Sequence, residues 1–389
     1  MTGIRGVRYI SVNEVSGYGQ AARGYLRALR LAGIPVTWTP MIPGRGLGLY
    51  LEPCAGRAVG DAEFDPICNI PLAYDRVIVH LPPPYLPYWR AQEAARALIA
   101  LTAWETDKLP PGWADMLNQA DRIIVPSRWN REVMQAEGVT PPIETAPHLF
   151  FPGEAAPLEV PIPQGAFVFH TEGAWSDRKG IYQTLACYWD TFTPADGTLL
   201  FIKTSRNDER RTRYGRRWRL VSRWLGGTRL TVRRMRRGWR NPAPIRLHTR
   251  TLAEAQIHAL HRRSDCFVSL TRGEGWGLGA YEAAFHGKPV IMTGYGGQRD
   301  FLQPEWTSFV DYTLTPAEPA GAFERALHHP PQRWAQPDPA HARRLMRAVY
   351  ENPAAARAQA ARQQDWLRTH FAAGTLTRRF LAALQGEPA

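Results

Sequence analysis

The chain has 389 residues, 44% of them hydrophobic and 21% charged, with a formal net charge of +13. That balance is globular, sized for two ordinary domains, and it excludes a disordered or low-complexity chain. The charge is not spread evenly: residues 206–241 hold 14 arginines, no lysine and only Asp208 and Glu209 as acids, so this one segment carries +12.

The neutral remainder and the lack of a recognised motif argue against nucleic acid as a partner. No apolar run approaches the roughly 18 residues of a membrane-spanning helix. The start, MTGIRGVRYISV, enters a strand without an apolar signal core. Cys54, Cys68, Cys187 and Cys266 show no C-x-x-C spacing, which fits reduced, buried thiols. The expectation is a cytoplasmic protein.

The first third alternates strands and helices in α/β fashion. A strand over 6–13 leads into the turn Ser16-Gly17-Tyr18-Gly19, which opens a helix over 20–32. Ala21, Ala22, Tyr25, Leu26, Leu29 and Leu31 fall mostly on one side of it, and Gly33 stops it. The turn is either a phosphate-binding loop or a tight turn that needs glycine. Further strands are expected at 34–39, 76–80, 97–104, 122–126 and 143–147. His80 and Glu105 fall at strand ends, where an open α/β sheet presents its crevice, and are positional candidates.

Residues 150–164, FFPGEAAPLEVPIPQ, read as an interdomain linker. A second α/β series follows: a strand over 166–171, the turn W-S-D-R-K-G, a helix from Ile181, and a strand over 199–204 ending near Lys203. In 206–241, Trp218, Leu220, Val221, Trp224 and Leu225 gather in one arc, with Arg216, Arg219 and Arg223 largely opposite and Arg217 breaking the partition. After Gly226-Gly227 the pattern resumes with Val232, Met235 and Trp239. It reads as a basic helical hairpin suited to an anionic membrane surface, a lipid-linked acceptor or an acidic partner, or as a structural hairpin with solvated arginines. A strand over 245–250, a helix over 252–262 and a strand over 266–270 come next. The tail over 339–384 is helical and carries no chemical motif.

Residues 271–297, TRGEGWGLGAYEAAFHGKPVIMTGYGG, hold the densest chemistry. A glycine-broken turn carries Glu274, a short helix carries Glu282, and a buried strand over 289–292 runs into Gly294, Gly296 and Gly297. Glycine turns at strand ends can aim backbone N–H groups at a phosphate. Carboxylates cannot hold phosphate, but they accept from sugar hydroxyls. The combination points to a nucleotide-sugar site.

The run Glu274 to Val290, E-G-W-G-L-G-A-Y-E-A-A-F-H-G-K-P-V, resembles the E-G-[FW]-G-L-x3-E-A-x3-G-x-P-V signature of family-four retaining glycosyltransferases. The resemblance implies a GT-B fold, two Rossmann-like domains facing across a cleft. Residues 1–150 would form the acceptor-side domain, with the last helix, about 365–389, packed back on it. Residues 151–364 would bind the donor. It implies transfer of a hexose from a nucleotide diphosphate sugar, UDP- or GDP-linked, with retention and without a metal or other cofactor. The acceptor would be a glycan, a lipid-linked glycan or a protein. Glu274 would hold hydroxyls of the transferred sugar and Glu282 those of the ribose. Arg178 and Lys179, like the family's R-K-[GN] turn, would neutralise the diphosphate with Lys203. Amides of Gly17, Tyr18, Gly19, Gly296 and Gly297 would assist, and Gly275, Trp276, Gly277 and Leu278 would frame the donor. His80 and Glu105 would lie on the acceptor side, Glu105 where many members carry a histidine. The alternative is a non-catalytic GT-B scaffold that binds a membrane or acidic partner through the arginine segment; on either reading the expected place is the cytoplasm or, peripherally, the inner face of the membrane.

Overall fold

The computed structural model describes residues 3–14, 16–44, 51–153, 156–157, 162–211 and 227–386. It divides into two compact units. One comprises residues up to Trp104, Pro111–Phe151 and those from His370 on; the other comprises Glu105–Pro110 and Pro152–Thr369. Each is built on a mainly parallel sheet, as two Rossmann-like units of the GT-B fold should be.

In the first unit, strands β1 (Val7–Val12), β2 (Val36–Pro43), β3 (Leu51–Pro53), β4 (Arg76–His80), β5 (Ala97–Leu101), β6 (Arg122–Val125) and β7 (Ile143–Thr145) lie in the order β3-β2-β1-β4-β5-β6-β7. All neighbours are parallel except β2 and β3. Central strands such as ALIAL and RIIV are apolar on both faces because helices cover both. Helix α1 (Gly17–Leu31) starts where Ser16 Oγ accepts from the Gly19 amide, and Gly33 follows at φ 69°. Its inner face buries Ala21, Ala22, Tyr25, Leu26 and Leu29. Leu31, grouped with that face on the sequence, is 74% exposed: two residues past Leu29 it has turned about 200° away.

The second unit orders β8 (Phe167–Trp175), β9 (Thr198–Asp208), β10 (Ile245–His248), β11 (Cys266–Ser269), β12 (Val290–Thr293) and β13 (Ser308–Val310) as β10-β9-β8-β11-β12-β13, all parallel. A separate antiparallel pair, β14 (Tyr312–Pro316) and β15 (Arg333–Pro337), stands beside it. Helices α2 (Ile181–Thr191), α3 (Thr228–Arg236), α4 (Glu254–Arg263) and α5 (Leu278–Phe285) connect or flank these strands. The core joins Phe169, Trp175, Leu185, Tyr188 and Phe192 to Met346 of the helix Pro339–Glu351.

Two sequence expectations are corrected. β9 does not end near Lys203; it runs to Asp208, because β8 bulges between Gly173 and Trp175 and Trp175 then pairs with Asp208. The arginine segment therefore begins as strand at 206–208 and a short 3₁₀ turn at Glu209–Arg211, not as helix. Its expected first helix, with Trp218 and Trp224, lies outside the described residues, as do 154–155 and 158–161 of the linker; α3 stands where the second helix was expected.

The tail forms Pro339–Glu351, Pro353–His370 and α6 (Ala373–Gln385). Within the first unit Phe380 of α6 packs its ring 4.6 Å from that of Tyr25. The Tyr25 hydroxyl donates to the Ala146 carbonyl at 2.7 Å and lies 3.1 Å from His148 Nδ1. Tyr25→Phe removes that donor from a buried carbonyl while keeping the ring, so it should cost about 1–3 kcal/mol in urea denaturation; an unchanged midpoint would contradict this account of the joint.

Candidate functional site

In a parallel sheet, a crevice opens where the strand order reverses. In the second unit that point lies between β8 and β11, and the loops beyond them carry Arg178, Lys179 and Glu274. The approach of these loops depends on glycine. A Cβ at Gly180, which sits at φ 59°, would lie 2.0 Å from the Leu270 carbonyl oxygen; one at Gly273 would lie 2.0 Å from that of Glu105.

Lys179 Nζ donates to both carboxylate oxygens of Glu274, at 2.8 Å each. Thr271 Oγ1 donates to the same carboxylate at 3.1 Å. Arg178 Nη1 donates to the Gly273 carbonyl at 2.9 Å and stands 3.5 Å from Glu274, while Nη2 stands 3.3 Å from Glu105. Behind Glu105, His328 Nε2 is 3.8 Å away. Two cations and two carboxylates thus close into one network. Burial pushes the Glu105 carboxyl up, but the charge of Arg178, a hydrogen bond and charge from His328, and the charge of Lys179 pull it down to about 2. Burial opposes the Arg178 charge, yet Glu105, Glu274, Glu324 and Glu209 hold its pKa above the usual value. Glu324 also anchors the turn, accepting from the amides of Asp177 and Arg178 at 2.9 and 3.3 Å.

Glu105 was read as an acceptor-side residue of the first domain; it groups instead with the second unit. Asp107 holds the same short segment down, pairing with Arg333 at 2.8 Å.

Glu282 lies one turn inside α5, 2% exposed, with His261 Nε2 3.5 Å from its carboxylate. His261 in turn meets His170 Nε2 at 2.9 Å through Nδ1, and His170 Nδ1 lies 3.2 Å from the Cys266 carbonyl. Glu172, in the second half of β8, was not singled out on the sequence. Its carboxylate packs against the first turn of α5, 2.5 Å from where a Gly279 Cβ would stand. Burial raises its pKa and Glu282 adds to the rise, against the lowering effects of His261, Lys203 and Lys179. Lys203 pairs in register with Glu172. Glu172 therefore bridges the environments of Lys179, Lys203 and Glu282. No local signal marked it: it lies within β8, and its partners stand far along the chain.

Other expected donor residues have local duties. The Gly297 amide donates to the Glu274 carbonyl at 2.9 Å, and Gly296, at φ 107°, leaves room for that carbonyl. Gly277 takes φ 97° to start α5, with Gly275 before it and half-buried Leu278 after it. Trp276 is a core side chain, 3% exposed, with its ring 4.7 Å from that of Phe301. In the first unit, the Gly19 amide is taken by Ser16, Gly17 is exposed, and Tyr18 bonds Thr102 and the Ala103 carbonyl. His80 is 2% exposed, 2.7 Å from the Tyr9 hydroxyl, and burial holds its pKa well below the usual value. Among the described residues, no group of three or more His, Cys, Asp or Glu is placed to hold a metal, and no helix is long and apolar enough to cross a membrane.

Residues 247–338 match the family described as glycosyl transferases group 1. That match covers about a quarter of the chain, and the fold around it is GT-B. No curated protein sequence matches it. Among solved structures, this GT-B chain is similar to an alpha,alpha-trehalose-phosphate synthase (UDP-forming) from Burkholderia vietnamiensis, with a TM-score of 0.62 at 13% identity over 98% of this chain and 99% of that one. HepE from Anabaena, in complex with UDP and glucose, gives 0.61 at 12% identity over 98% and 99%. A TarM mutant from S. aureus, in complex with fondaparinux, alpha-GlcNAc-glycerol and UDP, gives 0.54 at 10% identity over 79% of this chain. The chain spans about half of TarM's length, 55%.

The carboxylate of Glu105 is depressed in the fold, from 4.5 to about 2. Its stabilising contribution is therefore fully present above pH 4.5 and is lost as pH falls toward 2. Glu105→Gln should lower stability at neutral pH by on the order of 2 kcal/mol, allowing for the 20% exposure of the side chain. Denaturant titrations along pH should show the wild-type advantage vanish in that acid window; a constant difference would refute the linkage.

Proposed function

We propose that this protein is a retaining glycosyltransferase that moves a sugar from a UDP-linked donor to a hydroxyl of a glycan, a lipid-linked glycan or a protein. The observation that carries the reading is the network of Lys179, Arg178 and Glu274 at the reversal of strand order, with Glu282 on the helix that follows. UDP is preferred to GDP because the three similar structures contain UDP or are described as UDP-forming.

The Lys179 ammonium occupies the Glu274 carboxylate on both oxygens. An arriving diphosphate offers Lys179 a stronger partner, and its departure frees Glu274 to accept from hydroxyls of the sugar. Arg178 stays between Glu105 and Glu274 and adds its field to the same phosphates. Glu282 accepts from the ribose hydroxyls, and Lys203 lends charge from β9. As the bond from the anomeric carbon to the phosphate oxygen breaks, negative charge grows on the leaving diphosphate, where fixed cations lower the barrier. The acceptor oxygen bonds to the anomeric carbon on the same face, and its proton passes to the leaving phosphate oxygen. No protein nucleophile and no metal is needed for that sequence.

Lys179→Ala should lower kcat by roughly 2–4 kcal/mol of barrier while the fold persists; a near-wild-type rate in a sugar-transfer or donor-hydrolysis assay would remove Lys179 from the chemistry. Glu282→Ala should weaken nucleotide binding more than turnover at saturation. A thermal-shift comparison of UDP, GDP and ADP tests the donor class. A bound nucleotide at a hundredfold excess over Kd should add about 2.7 kcal/mol of stability, and a folded sample indifferent to all three would defeat the enzyme reading.

A further inference from the structure

The arginine segment is not absorbed by the transfer chemistry, and its described part is built asymmetrically. The inner side of α3 buries Thr228 and Val232. Val232 joins the main core of the second unit, and Met235 and Trp239 pack against it. The Trp239 indole donates to Asp190 at 2.7 Å, and its ring lies 5.0 Å from that of Trp189. The apolar face is thus used within the fold.

The outer side carries Arg229, Arg233, Arg234 and Arg236, followed by Arg237 and Arg240, all exposed. Exposed Arg206 joins them, since its neighbour Asn207 bridges to Gly227 at the start of α3. Arg229, Arg233 and Arg236 follow at spacings of four and three, a row along one helix face. Among the described residues, none of these seven arginines takes part in an ion pair. The segment's two acids cannot offset them. Asp208 is 3% exposed and accepts from Thr231 Oγ1 at 2.5 Å and from the Arg210 amide at 3.1 Å. Glu209 is half-buried, beside Glu324 and Arg178.

We propose that this arginine face docks the protein on an anionic phospholipid bilayer through headgroup phosphates, without insertion. The cations are all guanidinium groups, whose forked donors match phosphate oxygens. A bilayer presents phosphates under the whole row without demanding register. The apolar side of α3 is committed inward, so nothing on it is left to enter the acyl layer, and contact rests on electrostatics. Nucleic acid is the poorer fit, because Trp239 is committed to the core and offers no stacking platform for bases.

The test is sedimentation of the full chain with vesicles of phosphatidylcholine alone or mixed with phosphatidylglycerol, at low and high salt. Wild type should sediment only with the anionic vesicles and be released as salt rises. The variant Arg229→Gln, Arg233→Gln, Arg234→Gln, Arg236→Gln, Arg237→Gln should lose binding by about fivefold per arginine removed. Its melting curve by circular dichroism verifies that it is folded, and single Arg233→Gln and Arg236→Gln variants provide the readout if it is not. Equal sedimentation with both vesicles, or unchanged binding by the folded variants, would overturn the proposal. So would binding of single-stranded DNA that the substitutions abolish while vesicle binding stays intact.

Discussion

A buried carboxylate must meet a cation or a donor, and Glu274 meets three. Its side chain accepts from Lys179 on both oxygens and from Thr271, with Arg178 behind. Left alone at 8% exposure, that charge would oppose the packing of the loops around it. Paired, it fastens the loop after β8 to the loop after β11. The glycines follow from the same demand. Gly180, Gly273 and Gly296 stand where a Cβ would collide with a backbone carbonyl, two of those carbonyls belonging to Glu105 and Glu274. The charge network and the glycine spacing are therefore one device: backbones close enough that only glycine fits, carrying charges that must be neutralised once they are that close.

What the sequence made legible has a local cause. The two Rossmann-like units announce themselves through alternating apolar strands and helix caps such as Ser16 and Gly33, each a matter of a few neighbouring residues. The stretch from Glu274 to Val290 was readable because strand, turn, helix and strand succeed one another without a break, and the same run of residues matches group 1. Glu172, His261, His328 and Glu324 were missed because their meaning depends on partners far along the chain. Glu324 meets the Arg178 amide across 146 positions, and His170 meets His261 across 91. Trp276 stands inside the signature, but only the fold shows that its ring turns into the core against Tyr281 and Phe301. Lys203 was placed at a strand end because the bulge that lets β9 continue lies in its neighbour β8.

The net charge also reads differently once burial is known. On the sequence, Asp208 and Glu209 reduce the positive charge of 206–241 to +12. In the fold both acids are withdrawn from solvent, Asp208 beneath α3 on Thr231 and Glu209 in the surroundings of Arg178. Solvent therefore meets the arginines of α3 without those two counter-charges. Sequence sums understate such a face, since they count every charge as though it lay on the same side.

The two cations of the R-K pair are not equivalent, and their surroundings say which one a diphosphate would move. Arg178 has a backbone acceptor in Gly273, a carboxylate on each flank in Glu105 and Glu274, and an amide tied down by Glu324. Withdrawing it would strand Glu105, whose depressed pKa records how much it depends on that charge. Lys179 has the Glu274 carboxylate and a flexible stem, and Glu274 keeps Thr271 and Arg178 when the ammonium leaves. On the proposed chemistry Lys179 is the mobile charge and Arg178 the fixed one. Arg178 then serves by holding potential steady at the phosphates, while Lys179 exchanges one anion for another. On that proposal the exchange would uncover Glu274 only when a diphosphate is present, so the carboxylate proposed for the sugar would become available together with the donor that carries it.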